Sequence, residues 1–338
     1  MRRLCVIPCF AAFLLLMSCA PAWSASYRVG PGGSGAGCTH ATLQAALNAA
    51  ATSPGPHWIG VTQGAANSGQ SVVVLGDVTI AGGYATCVDP VNDLDRTVIS
   101  GLNNGGFAVF TIRGPGTVHL ENLHIVDGHS PFSGGGIDYV GSDVPGTTNH
   151  LVLSRTVVEA NHTDVDGGGI SFVAGSASGA TARLALQQDT GLFRNDADGN
   201  GGALAISGNA QLFAEAHRLF FWFNHSDQDG GAIHVLQPAQ ADIGSAAWLG
   251  DPTFRSNTAS AGGGALFVRA VDPSLPPAQV RLYGVLQDQP MILGGNSADF
   301  GGAIATSGFA GVAPFLTRVC VRNVNLIGNS AGDGAAVF

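Results

Sequence analysis

Along most of the chain, apolar and polar residues alternate in short runs, and the runs recur at a near-constant interval. Lining up the glycines gives NHTDVDGGGI, NDADGNGGAL, NHSDQDGGAI, NTASAGGGAL, NSADFGGAI and NSAGDGAAV, with a looser earlier copy in HSPFSGGGID. The leading asparagines are Asn161, Asn195, Asn224, Asn257, Asn296 and Asn329, spaced 34, 29, 33, 39 and 33 residues apart. Three positions before each stands an apolar residue: Val158, Leu192, Phe221, Phe254, Leu293 and Leu326. After each glycine pair comes a period-two run, such as Leu204/Ile206 or Ile233/Val235, which predicts a strand with one face buried. A second alternating run follows (HLVLS, ARLAL, VRLYG, TRVCV), and a third apolar patch leads into the next Asn.

Three strands per unit of about 33 residues describe one coil of a parallel β-helix. Each strand then pairs with its equivalent one coil later, at the usual strand spacing of about 4.8 Å. The asparagines become vertical neighbours whose amides bond along the column. Asn also tolerates left-handed backbone, and the glycines permit a bend that a β-carbon would obstruct.

That reading decides the meaning of FRNDADGNGGALAI, residues 193–206. Asp196, Asp198 and Asn200 before Gly201 start like a calcium loop, but its final Glu is replaced by Ser207. Asp164, Asp166, Asp227 and Asp229 align with these aspartates, whereas NTASAGGG keeps the turn without any Asp. The turn is expected to be structural first. A weak calcium column along Asp164, Asp166, Asp196, Asp198, Asp227 and Asp229 is the secondary expectation, and no other cofactor is implied.

ATLQAALNAA is the one helical pattern, with Leu43, Ala46 and Leu47 on one face. A solenoid needs a cap over its first coil, and this helix suits that role. The organisation expected is a signal peptide over 1–24, an N-terminal cap over 25–60 and a β-helix over 61–338, with the repeats from about 127. The fold class expected is all-β, a right-handed parallel β-helix of nine or ten coils.

Arg2 and Arg3, the apolar run from Val6 to Met17, and the small residues Ala20, Ala22 and Ser24 form a secretory signal. LMSC, ending at Cys19, is near a lipoprotein signal. The apolar run is too short for a membrane span. Without the signal, 12 arginines (14 less two) face 23 acids, and there is no lysine. Twenty of the acids are Asp and three are Glu. This balance argues against nucleic acid and anionic lipid as partners. Export permits a disulfide, and Cys38 with Cys87 is the expected pair. Cys320, in LTRVCVRNV, is expected as a small buried core residue.

The repeat resembles that of the chlamydial polymorphic outer-membrane proteins, closest in FWFN with GGAI and in FRSN with GGAL. The entry segment is similar to that of bacterial right-handed β-helices of the pectin-lyase-like class. The resemblance implies a secreted or surface-exposed, adhesive β-helix, at the outer membrane or outside the cell. Proteins of that kind also carry a C-terminal translocating barrel, and no barrel-sized set of ~10-residue strands is present in this sequence. The last residues, GDGAAVF, stop within a strand pattern without a closing cap.

The expected function is a non-catalytic interaction module for a glycan or a surface protein. The alternative is a calcium-dependent polysaccharide lyase or glycoside hydrolase. The outward row after the glycines, Asp138, Ser171, Ala205, His234, Phe267 and Ala305, offers one acid and no arginine or lysine base. Asp164/Asp166 and Asp196/Asp198 offer the paired carboxylates of a hydrolase, but in repeated turns. Arg155, Arg183, Arg194 and Arg255 read as solvated or ladder-pairing side chains, and His162 and His225 as exposed turn residues. In the cluster Phe220–Phe223, core packing is expected to dominate, with Trp222 pointing outward.

Overall fold

The computed structural model describes residues 25–33, 36–63, 68–90, 92, 95–102, 105–176, 179–216, 218–245, 253–286, 289–308 and 317–337. The signal segment and Cys19 lie outside them. Among the described residues, strands form four all-parallel sheets of ten, eight, eight and seven strands. This is a parallel β-helix.

Each coil of the repeat region runs the same way. The glycine pair leads into a strand of the glycine-side sheet, such as Leu204–Ser207. The chain turns into the ten-stranded sheet (Ala210–Ala216) and then the asparagine-side sheet (Leu219–Trp222). After the Asn it makes a two-residue strand of the turn sheet (His225–Ser226) and reaches the next glycines. Pairing is one coil to the next in register: Ile170↔Leu204↔Ile233↔Leu266↔Ile304 on the glycine side.

The alternation explains the core. Val158, Leu192, Phe221, Phe254 and Leu293 form one inward column of the asparagine-side sheet and are fully buried. Phe221 and Phe254 stack nearly parallel, with ring centroids 4.7 Å apart. Leu326, in the last described coil, is half-buried. Burying such a side chain contributes about 1.5–3 kcal/mol.

The turns depend on glycine at two adjacent positions. Gly201 has φ of 69°. A β-carbon on Gly202 would lie 2.0 Å from the carbonyl oxygen of His225 in the next coil. The left-handed residue beside the asparagines is not the Asn itself, as the sequence suggested. It is the residue before it: Ala160, Arg194, Phe223 and Ser256, then Gly295 and Gly328, with φ from 49° to 66°. The Asn side chain is thereby free to enter the ladder while its predecessor makes the bend.

The helix Leu43–Ala50 buries Leu43, Ala46, Leu47 and Ala50, and the Thr42 hydroxyl caps its N-terminus. Gln44 completes the edge of the strand Val72–Leu75, accepting from the Val73 N–H (2.7 Å) and donating to its carbonyl (3.3 Å). Cys38 and Cys87 form a disulfide. Among the described residues no helix is long and apolar enough to cross a membrane.

Cys320 corrects the expectation. It is exposed. Its neighbours Val319 and Val321 pair with the inward Val280 and Leu282, so alternation turns Cys320 outward beside Arg281.

Candidate functional site

The asparagines form a continuous buried column. Asn161, Asn195, Asn224, Asn257 and Asn296 are 1% exposed or less. Each donates an Nδ2–H to the Oδ1 of the next, at 2.9–3.1 Å. That Oδ1 also accepts the backbone N–H of the same donor residue, at 3.0–3.2 Å. A further Nδ2–H bond goes to a carbonyl of the preceding coil: Val158 for Asn195, Leu192 for Asn224, Phe221 for Asn257. Gly128 stands where the first Asn would be, and its N–H opens the column on Asn161 Oδ1. These amides are committed to the fold.

The six aspartates of the expected calcium column divide into two groups. Asp166 and Asp229 turn toward backbone. Asp166 Oδ1 accepts from the N–H and Nδ2–H of Asn200 (2.7 and 3.0 Å), Asn200 Oδ1 accepts from the Asp229 N–H, and Asp229 Oδ1 accepts from the Gly262 N–H. Burial pushes the Asp229 carboxyl up from its ordinary value, against the Gly262 bond and Arg269. Asp164, Asp196, Asp198 and Asp227 lie outside, facing histidines.

The imidazoles come from one position of the turn sheet, where the register reads His129↔His162↔Asp196↔His225↔Thr258. His162 Nδ1 donates to Asp196 Oδ2 at 3.1 Å, and its Nε2 lies 3.4 Å from Asp164 Oδ1 and 3.8 Å from Asp198 Oδ1. His129 Nε2 is 3.1 Å from the same Asp164 oxygen. His225 contacts Thr258 Oγ1 (2.7 Å) and Asp227 Oδ1 (3.0 Å). His162 and His225 are therefore half-buried and partnered, not bare turn residues. Sequence comparison within the chain passed over His129 because its copy lacks the leading Asn.

The outward row of the glycine-side sheet is not an open face. Ser171, Ala205, His234, Phe267 and Ala305 are all under 9% exposed. The glycine turns press on this row, since a β-carbon on Gly262 would meet the Phe267 ring at 2.5 Å. His234 stacks on Phe267, and burial lowers its pKa to about 4, against the nearby Asp166 carboxylate.

The asparagine-side sheet carries an outward-facing aromatic row. Only Phe221 of Phe220–Phe223 is core; Phe220 and Trp222 are half-buried and Phe223 is exposed, so the expectation of a mainly core cluster is corrected. Trp222 lies 4.8 Å from Phe220 and 5.6 Å from Phe193, centroid to centroid. The Phe193 ring lies across Gly191, where a β-carbon would come within 2.4 Å of it. The Arg255 guanidinium sits 5.6 Å from the Trp222 centroid and 5.7 Å from that of Phe223. Among the described residues no carboxylate pairs with Arg255. Arg194, by contrast, bonds Glu159 at 2.6 Å, and Glu159 also accepts from His124 at 3.0 Å. Arg155 pairs with Glu121, and Arg183 lies over the Phe213 ring.

Comparison with family models, curated proteins and solved structures returns no match. The β-helix therefore rests on the sheets themselves.

Proposed function

We propose that the protein is a secreted or surface-exposed, non-catalytic binding module that holds an acidic glycan on the asparagine-side sheet. Arg255 carries the reading: its charge lies over aromatic rings and has no carboxylate partner among the described residues. Phe193, Phe220 and Trp222 beside it form a shelf about three rings wide. Sugar rings present faces of C–H bonds that pack on aromatic faces, and a carboxylate or sulfate substituent suits a guanidinium fork. A parallel solenoid offers such a surface without a moving part.

The test is titration calorimetry with uronic-acid and sulfated oligosaccharides chosen from a glycan array. Trp222→Ala and Arg255→Ala are each expected to weaken binding roughly tenfold, about 1.4 kcal/mol. Phe132→Ala, at a 68% exposed position elsewhere on the chain, is the control. No binding to any acidic glycan, or binding indifferent to both substitutions, would refute the proposal. So would cleavage of the bound glycan.

A further inference from the structure

We infer that His129, His162 and Asp164 form a binding site for an imidazole-preferring divalent transition metal such as zinc. Their ligand atoms all lie within 4.8 Å of one another. Asp164 Oδ1 is 3.1 Å from His129 Nε2 and 3.4 Å from His162 Nε2. A tetrahedral ion with bonds of about 2.0–2.1 Å holds neighbouring ligands about 3.3 Å apart. Asp198 Oδ1 lies 3.8 Å from His162 Nε2 but outside this three-residue cluster, so water completes the coordination of a bound ion.

The contacts of His162 strengthen the case. One ring nitrogen, Nδ1, is held by Asp196 Oδ2 at 3.1 Å, which leaves the other, Nε2, directed at Asp164. The His129 and His162 rings lie edge to face with centroids 4.9 Å apart, so both imidazoles reach the same carboxylate. The Asp196–His162 bond is also the contact by which carboxylates orient metal-binding histidines in general.

Donor type selects the ion. Two imidazole nitrogens suit zinc, nickel or copper, whereas calcium takes six to eight oxygens. The place is also singular along the solenoid. The register position that holds His129 and His162 continues as Asp196, His225 and Thr258, so two imidazoles meet vertically once among these coils. The position two residues on from His129 is Pro131, so Asp164 serves both histidines. This feature is not repeated, unlike the asparagine column beside it, and the glycine turns do not require it. The inference does not depend on glycan binding.

The experiment titrates zinc chloride, and separately calcium chloride, into the full chain by calorimetry at pH 7.5. Cobalt chloride gives an independent visible spectrum that reports nitrogen coordination. One equivalent of zinc is expected to bind, and calcium at the same concentrations is not expected to displace it. His162→Ala and His129→Ala are each expected to lower zinc affinity at least ~100-fold. Asp196→Asn, which removes only the orienting carboxylate, should lower it about 10–100-fold. Asp227→Asn, two coils beyond Asp164, should leave it unchanged. His129 is the more exposed histidine, with a 59% exposed side chain, so its variant tests the site even where His162→Ala melts early. Absence of saturable zinc binding, retention of affinity in His129→Ala, or calcium binding tighter than zinc would each overturn the assignment.

Discussion

The asparagine column and the histidine–aspartate column occupy adjacent positions of the same turn: Asn161 beside His162, Asn195 beside Asp196, Asn224 beside His225. The first is uniform, buried and bonded coil to coil by one repeated geometry. The second varies along the coils, from His129 and His162 to Asp196, His225 and Thr258, is half-exposed, and pairs imidazole with carboxylate differently each time. Stacking alone demands the first, because a buried amide left without a partner costs about 1–3 kcal/mol. Stacking demands little of the second, whose groups reach water. Repetition with burial marks structure in a solenoid. A break in repetition at an exposed rung marks the place where chemistry can be special.

The sharpest way to break that contrast is to exchange the chemistry of the two columns. Asn224→Asp places a carboxylate against the Oδ1 of Asn257, where an amide N–H is required. Stability is expected to fall by about 4 kcal/mol at pH 7, as for other uncompensated buried charges. Asp198→Asn on the neighbouring exposed column should shift it by under about 0.5 kcal/mol. Chemical denaturation followed by circular dichroism measures both. Equal losses would erase the distinction between the columns.

A second test uses pH and the buried row behind the turns. His234 titrates near 4 when folded and near 6.5 when free, because burial disfavours its charged form. The unfolded chain then binds the proton first as pH falls. Stability contributed by neutral His234 is present above pH 6.5 and is lost between about 6.5 and 4, by roughly 3 kcal/mol. His234→Phe, which can stack on Phe267 in the same way, should show a correspondingly smaller loss across that window. His119 and His150, also lowered by burial, titrate in both proteins, so the difference isolates His234. An identical loss in variant and parent would contradict the burial argument.

Much of the fold was legible because a solenoid converts sequence spacing into vertical contact. The apolar residue three before each Asn, the period-two run after each glycine pair, and the amides themselves each carry one structural job repeated coil after coil. The pairing of Cys38 with Cys87 could be read from the export that the N-terminal pattern predicts and from their shared place near the entry. What could not be read depends on register between unlike copies. His129 sits in a coil that begins with Gly128 instead of Asn, so its alignment with His162 appeared only once the turn sheet was seen. Cys320 was misread because its residue type was weighed above its phase between Val319 and Val321. The aromatic face was half-legible: alternation turned Trp222 outward, but Gly191 beneath Phe193 and the ring contacts of Arg255 require three dimensions.

The vertical stacking of the asparagines is tested most directly by double-mutant cycles. Asn195→Ala and Asn224→Ala, adjacent in the column and joined at 3.1 Å, are expected to couple by about 1 kcal/mol or more. Asn161→Ala and Asn296→Ala, separated by three intervening rungs, should add independently to within about 0.5 kcal/mol. Additivity in the adjacent pair, or coupling as large in the distant one, would contradict the ladder.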